Sequence, residues 1–205
     1  MHEAARNVYT VNMKRLTTAE RIYRVARQLF EKGGAENVSM RRVGEAVGVS
    51  AMAIYRHFPN RETLLKKICD DSFSEIAHHW NTRARQADPL ARLISLQELY
   101  LDYALAHPHL FDHAFSVRRD DARRFPEDFR ARLSPTLNVV ADTAAEGIRA
   151  GVLRKDDAWD VAMTLWAHTH GLVALYRAGR FSYDEVKFRK FYIDSIRRLL
   201  DGLKP

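Results

Sequence analysis

Cysteine is almost absent from this chain: Cys69 is the only one in 205 residues. That excludes an intrachain disulfide framework and a thiolate zinc cage, and it suits a reducing compartment. Long apolar runs are missing as well. No run of 18 or more apolar residues occurs, so no segment is suited to crossing a bilayer as a helix. The opening MHEAARNVYTVNMKR lacks the apolar stretch and small-residue cleavage site of a secretory signal. A cytoplasmic protein without membrane contact is expected. Glycine and proline are scarce, 9 and 6 residues, and fall at boundaries rather than in tracts, and there is no internal repeat. Acidic residues are in deficit too, 26 against 33 Lys and Arg, which leaves a formal charge of +7.

That charge is concentrated rather than spread. Residues 1–70 hold 13 basic and 7 acidic side chains, so they carry nearly all of the excess, and the other 135 residues are close to neutral. An uneven distribution of this kind points to a polyanionic partner for one part of the molecule.

With 46% hydrophobic residues, the chain can bury a core. Its apolar positions recur at helical spacing, which predicts an all-α fold. Thr17-Thr18-Ala19-Glu20 has the pattern of a capping box. Ile22, Ala26, Leu29 and Phe30 follow as one stripe, ended by Gly33-Gly34. Ser39 is placed to cap a second helix with Val43, Ala46 and Val47 inward; Gly48 makes a turn; Ser50 caps a third helix with Ile54 inward. Phe58-Pro59 stops it, because the residue before proline is pushed out of α geometry. Asn60 caps a longer fourth helix with Leu64, Leu65, Ile68, Ile76 and Trp80 on its buried side. Asp88-Pro89 opens a fifth and Pro108 a short sixth. SVRRDDARRFPE, residues 116–127, reads as a charged surface connection. Three more helices are expected over about 135–150, 156–178 and 183–203, about nine in all.

SMRRVGEAVGVSAMAIYRHF, residues 39–58, has the spacing of a helix-turn-helix. Two short helices that cross closely need a small residue at the contact, a glycine in the turn and apolar residues to hold the pair. Gly44, Gly48 and the set Val43, Val47, Val49 and Ile54 meet those needs. The outer face of the third helix carries Ala51, Met52, Tyr55 and Arg56.

These residues resemble the TetR family of bacterial transcription regulators. The similarity runs through Arg21, Ala26, Leu29-Phe30 and Gly33, then Val47-Gly48-Val49-Ser50, Ile54-Tyr55-Arg56-His57-Phe58, and Arg61-Glu62 before Leu64-Leu65. Gly44 departs from the family's usual alanine, and Ala51-Met52-Ala53 from its common small-residue and threonine combination, so no base preference carries over. The resemblance implies that the third helix enters the major groove of a double-stranded operator. Helix starts at Ser39, Ser50 and Asn60 suit phosphate. Tyr55 and His57, with Arg41, Arg42, Arg61 and Lys66, would touch phosphates and set register. Ala51 and Met52 can offer only apolar contacts, so Arg41 or Arg56 is the candidate for reading guanine. The alternative is that these arginines form only a solvated basic face. Residues 1–16, with Arg6, Lys14 and Arg15, form a flexible basic arm; a plain leader, or a start at Met13, is the alternative.

Beyond Trp80 the resemblance is weaker. WAHTHGLVAL, residues 166–175, is similar to the Trp-His-Gly type of TetR C-terminal domain at Trp166, His170 and Gly171. It implies a homodimer built on the last two helices. Val161, Leu165, Gly171, Leu172, Leu175, Phe188, Tyr192, Ile196 and Leu199 are the candidate interface, because they give more apolar face than a monomer needs. A two-fold dimer predicts a palindromic operator. Family members of this architecture hold a small effector among helices four to eight, which nominates Trp80, Tyr100, Tyr103, Phe111, Phe115, Trp166 and His170. Read as residues alone, each of these aromatics is first a core residue, as an aromatic stripe at helical spacing is in any helix bundle. The domain expectation is therefore an arm over 1–16, a DNA-binding helix-turn-helix over 17–62, and an effector-binding and dimerisation region over 63–205.

The functional expectation is a regulator, most simply a repressor released from its operator by a small apolar or aromatic effector. The alternatives are an effector-independent DNA-binding dimer and a histidine-based metal sensor. Among nine histidines, His109 and His113 stand four apart, but His168 and His170 stand two apart, and no compact carboxylate or thiolate joins them. No metal and no cofactor is expected. With no HExxH, GxSxG or phosphate-binding glycine loop, neither is an enzyme.

Overall fold

A computed structural model describes residues 16–115 and 122–205. Most of the expected basic arm, and the first half of the charged connection, lie outside the described residues. Among the described residues there are ten α-helices, one 3-10 turn and no strand. The helices are α1 (Thr18–Gly33), α2 (Met40–Val47), α3 (Ala51–Tyr55), α4 (Arg61–Arg83), α5 (Pro89–Ala106), α6 (Pro108–Phe115), α7 (Glu127–Arg130), α8 (Pro135–Arg149), α9 (Ala158–Arg177) and α10 (Glu185–Asp201). The one added to the expected nine is α7, a single turn just past the charged connection.

The starts follow the sequence signals. Thr17 Oγ1 accepts the Glu20 N–H at 3.3 Å while the Glu20 carboxylate accepts the Thr17 N–H at 2.7 Å, which completes the capping box. Asp88 caps α5 through the Ala91 N–H at 2.9 Å. Asp157 and Asp184 cap α9 and α10, each within a residue or two of the expected start. Acceptors at these positions satisfy backbone donors that have no partner inside the helix.

The described chain forms two compact units. The first comprises residues 16–72 with 107–115, the second residues 73–106 with 122–205, so α4 contributes to both and α6 belongs with the first. In the first unit, Ile22, Ala26 and Phe30 of α1 are buried with Val43, Val47, Ile54 and Leu64. Phe30 meets His113 of α6 edge-on at 5.6 Å between ring centres. The inner face of α2 differs from expectation at one position: Ala46 is exposed, and Met40 and Gly44 are buried instead. An eight-residue helix has barely two turns, so a face set by 40, 43, 44 and 47 leaves no room for 46.

In the second unit α5, α8, α9 and α10 pack as a bundle around Leu93, Leu96, Ala144, Leu165, Val173 and Ile196. A bidentate pair between Arg92 and Glu146, at 2.7 and 3.0 Å, ties α5 to α8. Phe188 and Tyr192 of α10 are fully buried, and the Tyr192 hydroxyl donates to the Gln97 carbonyl at 2.9 Å. No described helix is long and apolar enough to cross a membrane.

Candidate nucleic-acid interface and effector site

The turn between α2 and α3 is built on Gly48, whose φ of +76° is a left-handed conformation that an L side chain rarely adopts. Its N–H, and that of Val49, both point to the Gly44 carbonyl, at 2.8 and 3.0 Å. The Arg21 guanidinium reaches across from α1 to the Val47 carbonyl at 2.5 Å, satisfying one of the last carbonyls of α2. Ser39 and Ser50 cap α2 and α3 by accepting the Arg42 and Ala53 N–H groups, each at 3.2 Å. Asn60 caps α4 through the Thr63 N–H at 2.7 Å. All three expected caps are therefore present, and each spends a side-chain oxygen on its own helix.

Of the residues expected at a duplex, Arg41, Arg42, Ser50, Met52, Tyr55, Arg56, His57, Asn60 and Lys66 are exposed, Ser39 is half-buried, and Ala51 heads α3. Met52 at 69% and Tyr55 at 48% exposure are large apolar surfaces left in water on a five-residue helix. Exposed apolar groups of this kind are available to a contact surface. Arg41 lies 3.9 Å from Glu45, and both side chains are largely in solvent. Lys66 pairs with Asp70 one turn on. Arg61 is the exception. It is half-buried and bonded to backbone carbonyls, and only the neighbouring Glu62 gave a sequence hint of anything but a free cation.

The expected effector residues are divided between the units. Phe111 and Phe115 belong to the first, stacked edge-to-face at 5.4 Å. Trp80, Tyr100, Trp166 and His170 come together in the second. The Tyr100 hydroxyl is 2.8 Å from His170 Nδ1, Trp80 meets Tyr100 edge-on at 6.4 Å, and Trp166 lies 5.7 Å from the His170 ring. Tyr103 is half-buried on α5. Three further residues escaped notice in the sequence. Phe129 of α7 packs 6.2 Å from Trp166. Gln97 and Thr169 are buried, with the Thr169 hydroxyl 3.1 Å from the Gln97 side-chain oxygen. A glutamine inside the apolar stripe of α5 was the available signal for that pair.

The proposed dimer residues need correction. Val161, Leu165, Phe188, Tyr192 and Ile196 are buried in the chain's own core and have no surface left for a partner. Period alone marks a buried face without saying which neighbour buries it. Gly171, Leu172, Leu175 and Leu199 remain accessible. Among the described residues no three His, Cys, Asp or Glu side chains come together as a metal site. His168 Nε2 instead meets the Ser195 hydroxyl at 2.8 Å.

Burial lowers the pKa of both His168 and His170, with Arg198 adding to the effect at His168. The folded chain thus resists protons that the unfolded chain accepts near pH 6.5. Stability is full above that value and falls as pH drops through it, toward the lowered native pKa values. Urea unfolding midpoints should be higher at pH 7.5 than at 5.5, and His170→Gln should flatten part of that difference. A midpoint that rises on acidification would refute the neutral assignment.

Two family profiles match the chain. One, described as bacterial regulatory proteins of the tetR family, covers residues 22–68, and the other, described as a tetracyclin repressor-like C-terminal domain, covers residues 93–201. An HTH-type transcriptional regulator of Staphylococcus aureus strain USA300 is 38% identical over 45 residues, which is 22% of this chain and 24% of that protein. The match thus spans about a quarter of the length of such curated relatives. Among solved structures, a protein of unknown function from Rhodococcus sp. RHA1 superposes with a TM-score of 0.75 at 20% identity, over 93% of this chain and 96% of that one. The transcriptional regulator FadR from Bacillus subtilis, solved with stearoyl-CoA, gives 0.67 at 15% identity, over 86% and 96%. At these identities the likeness is one of fold.

Proposed function

Since the chain belongs to the TetR family of DNA-binding transcriptional regulators, we propose that it is a repressor that binds a palindromic operator as a homodimer and leaves it when a small effector binds. The observation that carries the reading is the exposed row Met52, Tyr55, Arg56 and His57 beside Arg41 and Arg42, on a capped helix-turn-helix within the first 70 residues, which hold nearly all of the chain's net positive charge. Basic groups supply affinity through counterion release, and side chains in the groove supply choice of sequence. Arg56, and Arg41 on α2, are the groups for guanine; Met52 suits a thymine methyl. Ser39, Arg42, Ser50, Tyr55, His57, Asn60 and Lys66 set register on phosphate.

One head reads few base pairs, so a two-fold pair of heads on two half-sites is the arrangement that gives useful affinity. The accessible Gly171, Leu172, Leu175 and Leu199 supply the surface for a second copy. The effector is assigned to the aromatic group around Trp80, Tyr100, Trp166 and His170, with Tyr103 of the same unit as a further candidate. Every buried polar side chain described in the second unit is neutral: Gln97, Ser134, Thr143 and Thr169. An effector whose buried part is uncharged, apolar or aromatic with a hydroxyl or carbonyl, therefore suits it. That FadR was solved with stearoyl-CoA supports a ligand-receiving role for this fold. To act, the ligand must prefer the DNA-free arrangement, since equal affinity for both states shifts nothing.

The test is selection of duplexes from a randomised library, followed by binding of the enriched sequence in fluorescence anisotropy. A palindrome should emerge, and Tyr55→Ala should weaken its binding about tenfold. Unchanged affinity in that variant would remove α3 from the groove.

A further inference from the structure

Arg61 opens α4 at the place where the family resemblance implies a phosphate contact, yet its guanidinium is turned inward. Its side chain is only 31% exposed. Nε donates to the Val38 carbonyl at 2.7 Å and Nη2 to the Ala35 carbonyl at 2.6 Å, while Nη1 faces the Glu62 carboxylate at 3.8 Å. Ala35 and Val38 bracket the 3-10 turn Ala35–Asn37 that joins α1 to α2. Both carbonyls belong to a turn whose end carries partial negative charge, so these are charge-assisted bonds from a planar fork.

The same connector is held from the other side. Asn37 Nδ2 donates to the Leu29 carbonyl at 2.9 Å, and Arg42 Nη1 donates to Asn37 Oδ1 at 2.5 Å. Val38 precedes Ser39, the cap of α2. Wherever the Val38 carbonyl is fixed, the first turn of α2 is fixed with it, and so is the direction in which Arg41 and Arg42 leave the surface.

We infer that Arg61 is a positioning residue for operator recognition: it clamps the 35–38 connector so that α2 meets the duplex in register, and it is not itself a phosphate ligand. This rests on the regulator reading above. A lysine keeps the charge but replaces the two-carbonyl fork with a single ammonium, which separates the two roles.

The experiment uses the full-length protein and three forms of it, wild type, Arg61→Lys and Arg61→Gln. Binding is measured on the duplex enriched from the randomised library and on a scrambled duplex of equal length, each across a salt series, with thermal melting alongside. The clamp predicts that both variants lose about tenfold or more on the enriched duplex and keep wild-type affinity on the scrambled one. It also predicts wild-type slopes of log affinity against log salt, and a melting temperature lowered by a few degrees in both variants because two charge-assisted bonds are lost. The specific-to-nonspecific ratio is the readout that a merely structural role would not move. A phosphate ligand predicts instead that Lys substitutes for Arg, while Gln lowers the slope by about one and weakens both duplexes alike. That result overturns the proposal. So do wild-type affinity in both variants, and parallel loss on both duplexes. If the wild type enriches nothing from the library, the regulator reading fails first and the clamp's role falls with it.

Discussion

Gly171→Leu is expected to keep its helical content, sediment as a monomer at micromolar concentration, and lose two orders of magnitude or more in operator affinity. Gly171 lies inside α9, where glycine costs about 1 kcal/mol relative to alanine. Among the described residues a Cβ built there meets nothing within 4 Å, so their packing does not ask for glycine. The proposed reason for the glycine is a second copy of α9 that crosses close to Gly171. Leucine would fill the open space and hold the two helices apart. Each head would then bind alone, without the roughly 10²- to 10⁴-fold gain that linked sites provide. Sedimentation and anisotropy on the enriched duplex read the two effects separately. An intact dimer with unchanged affinity would move the subunit interface elsewhere.

Phe188→Ala should be strongly destabilising. Its ring is 0% exposed, stacked on Tyr176 with centroids 3.9 Å apart and planes 11° from parallel, and Phe181 packs edge-on at 5.1 Å. Truncation of such a phenylalanine removes the transfer energy of its ring and leaves a cavity, together about 3–5 kcal/mol. For a chain of this size that lowers the melting temperature by about 10 °C. Val186, two residues earlier and 78% exposed, is the internal control, because its alanine variant should change stability by less than about 0.5 kcal/mol. A large loss at Val186 with little at Phe188 would mean that α10 is buried on the opposite face. Both variants are read by circular dichroism melting at one protein concentration, since a dimer's apparent stability depends on it.

Helix starts were the most legible part of the fold, because a cap is a local bargain between one side chain and one backbone N–H. Thr17, Ser39, Ser50, Asn60 and Asp88 needed only their immediate neighbours to be read, and each caps its helix in the structure. Faces were less legible. The α9 and α10 stripes were recognisable as apolar, yet the core took Leu165, Phe188 and Ile196, and only Gly171, Leu172, Leu175 and Leu199 were left at the surface. Partition between own core and partner depends on distant residues, which a helical period does not encode. Arg61 shows the same limit at the candidate interface. Its charge and place suggested phosphate, but its acceptors are carbonyls 23 and 26 positions away, and no local pattern announces a backbone acceptor. Gln97 and Thr169 were similarly hidden, because their pairing spans 72 residues.

The shortness of α3 has a consequence for how the operator and the fold depend on each other. Five residues close hardly more than one helical turn, well below the length at which a helix sustains itself in water. The segment proposed to enter the groove is therefore lent its shape by Ile54 beneath it and by the Ser50 cap. A helix this short, with Met52 and Tyr55 exposed, opens at low cost. A duplex that binds only the formed turn adds its own binding free energy to the free energy of opening that turn. On the proposed reading the DNA would act as the upper layer of this half-built core, and a stronger site would make a more rigid reader.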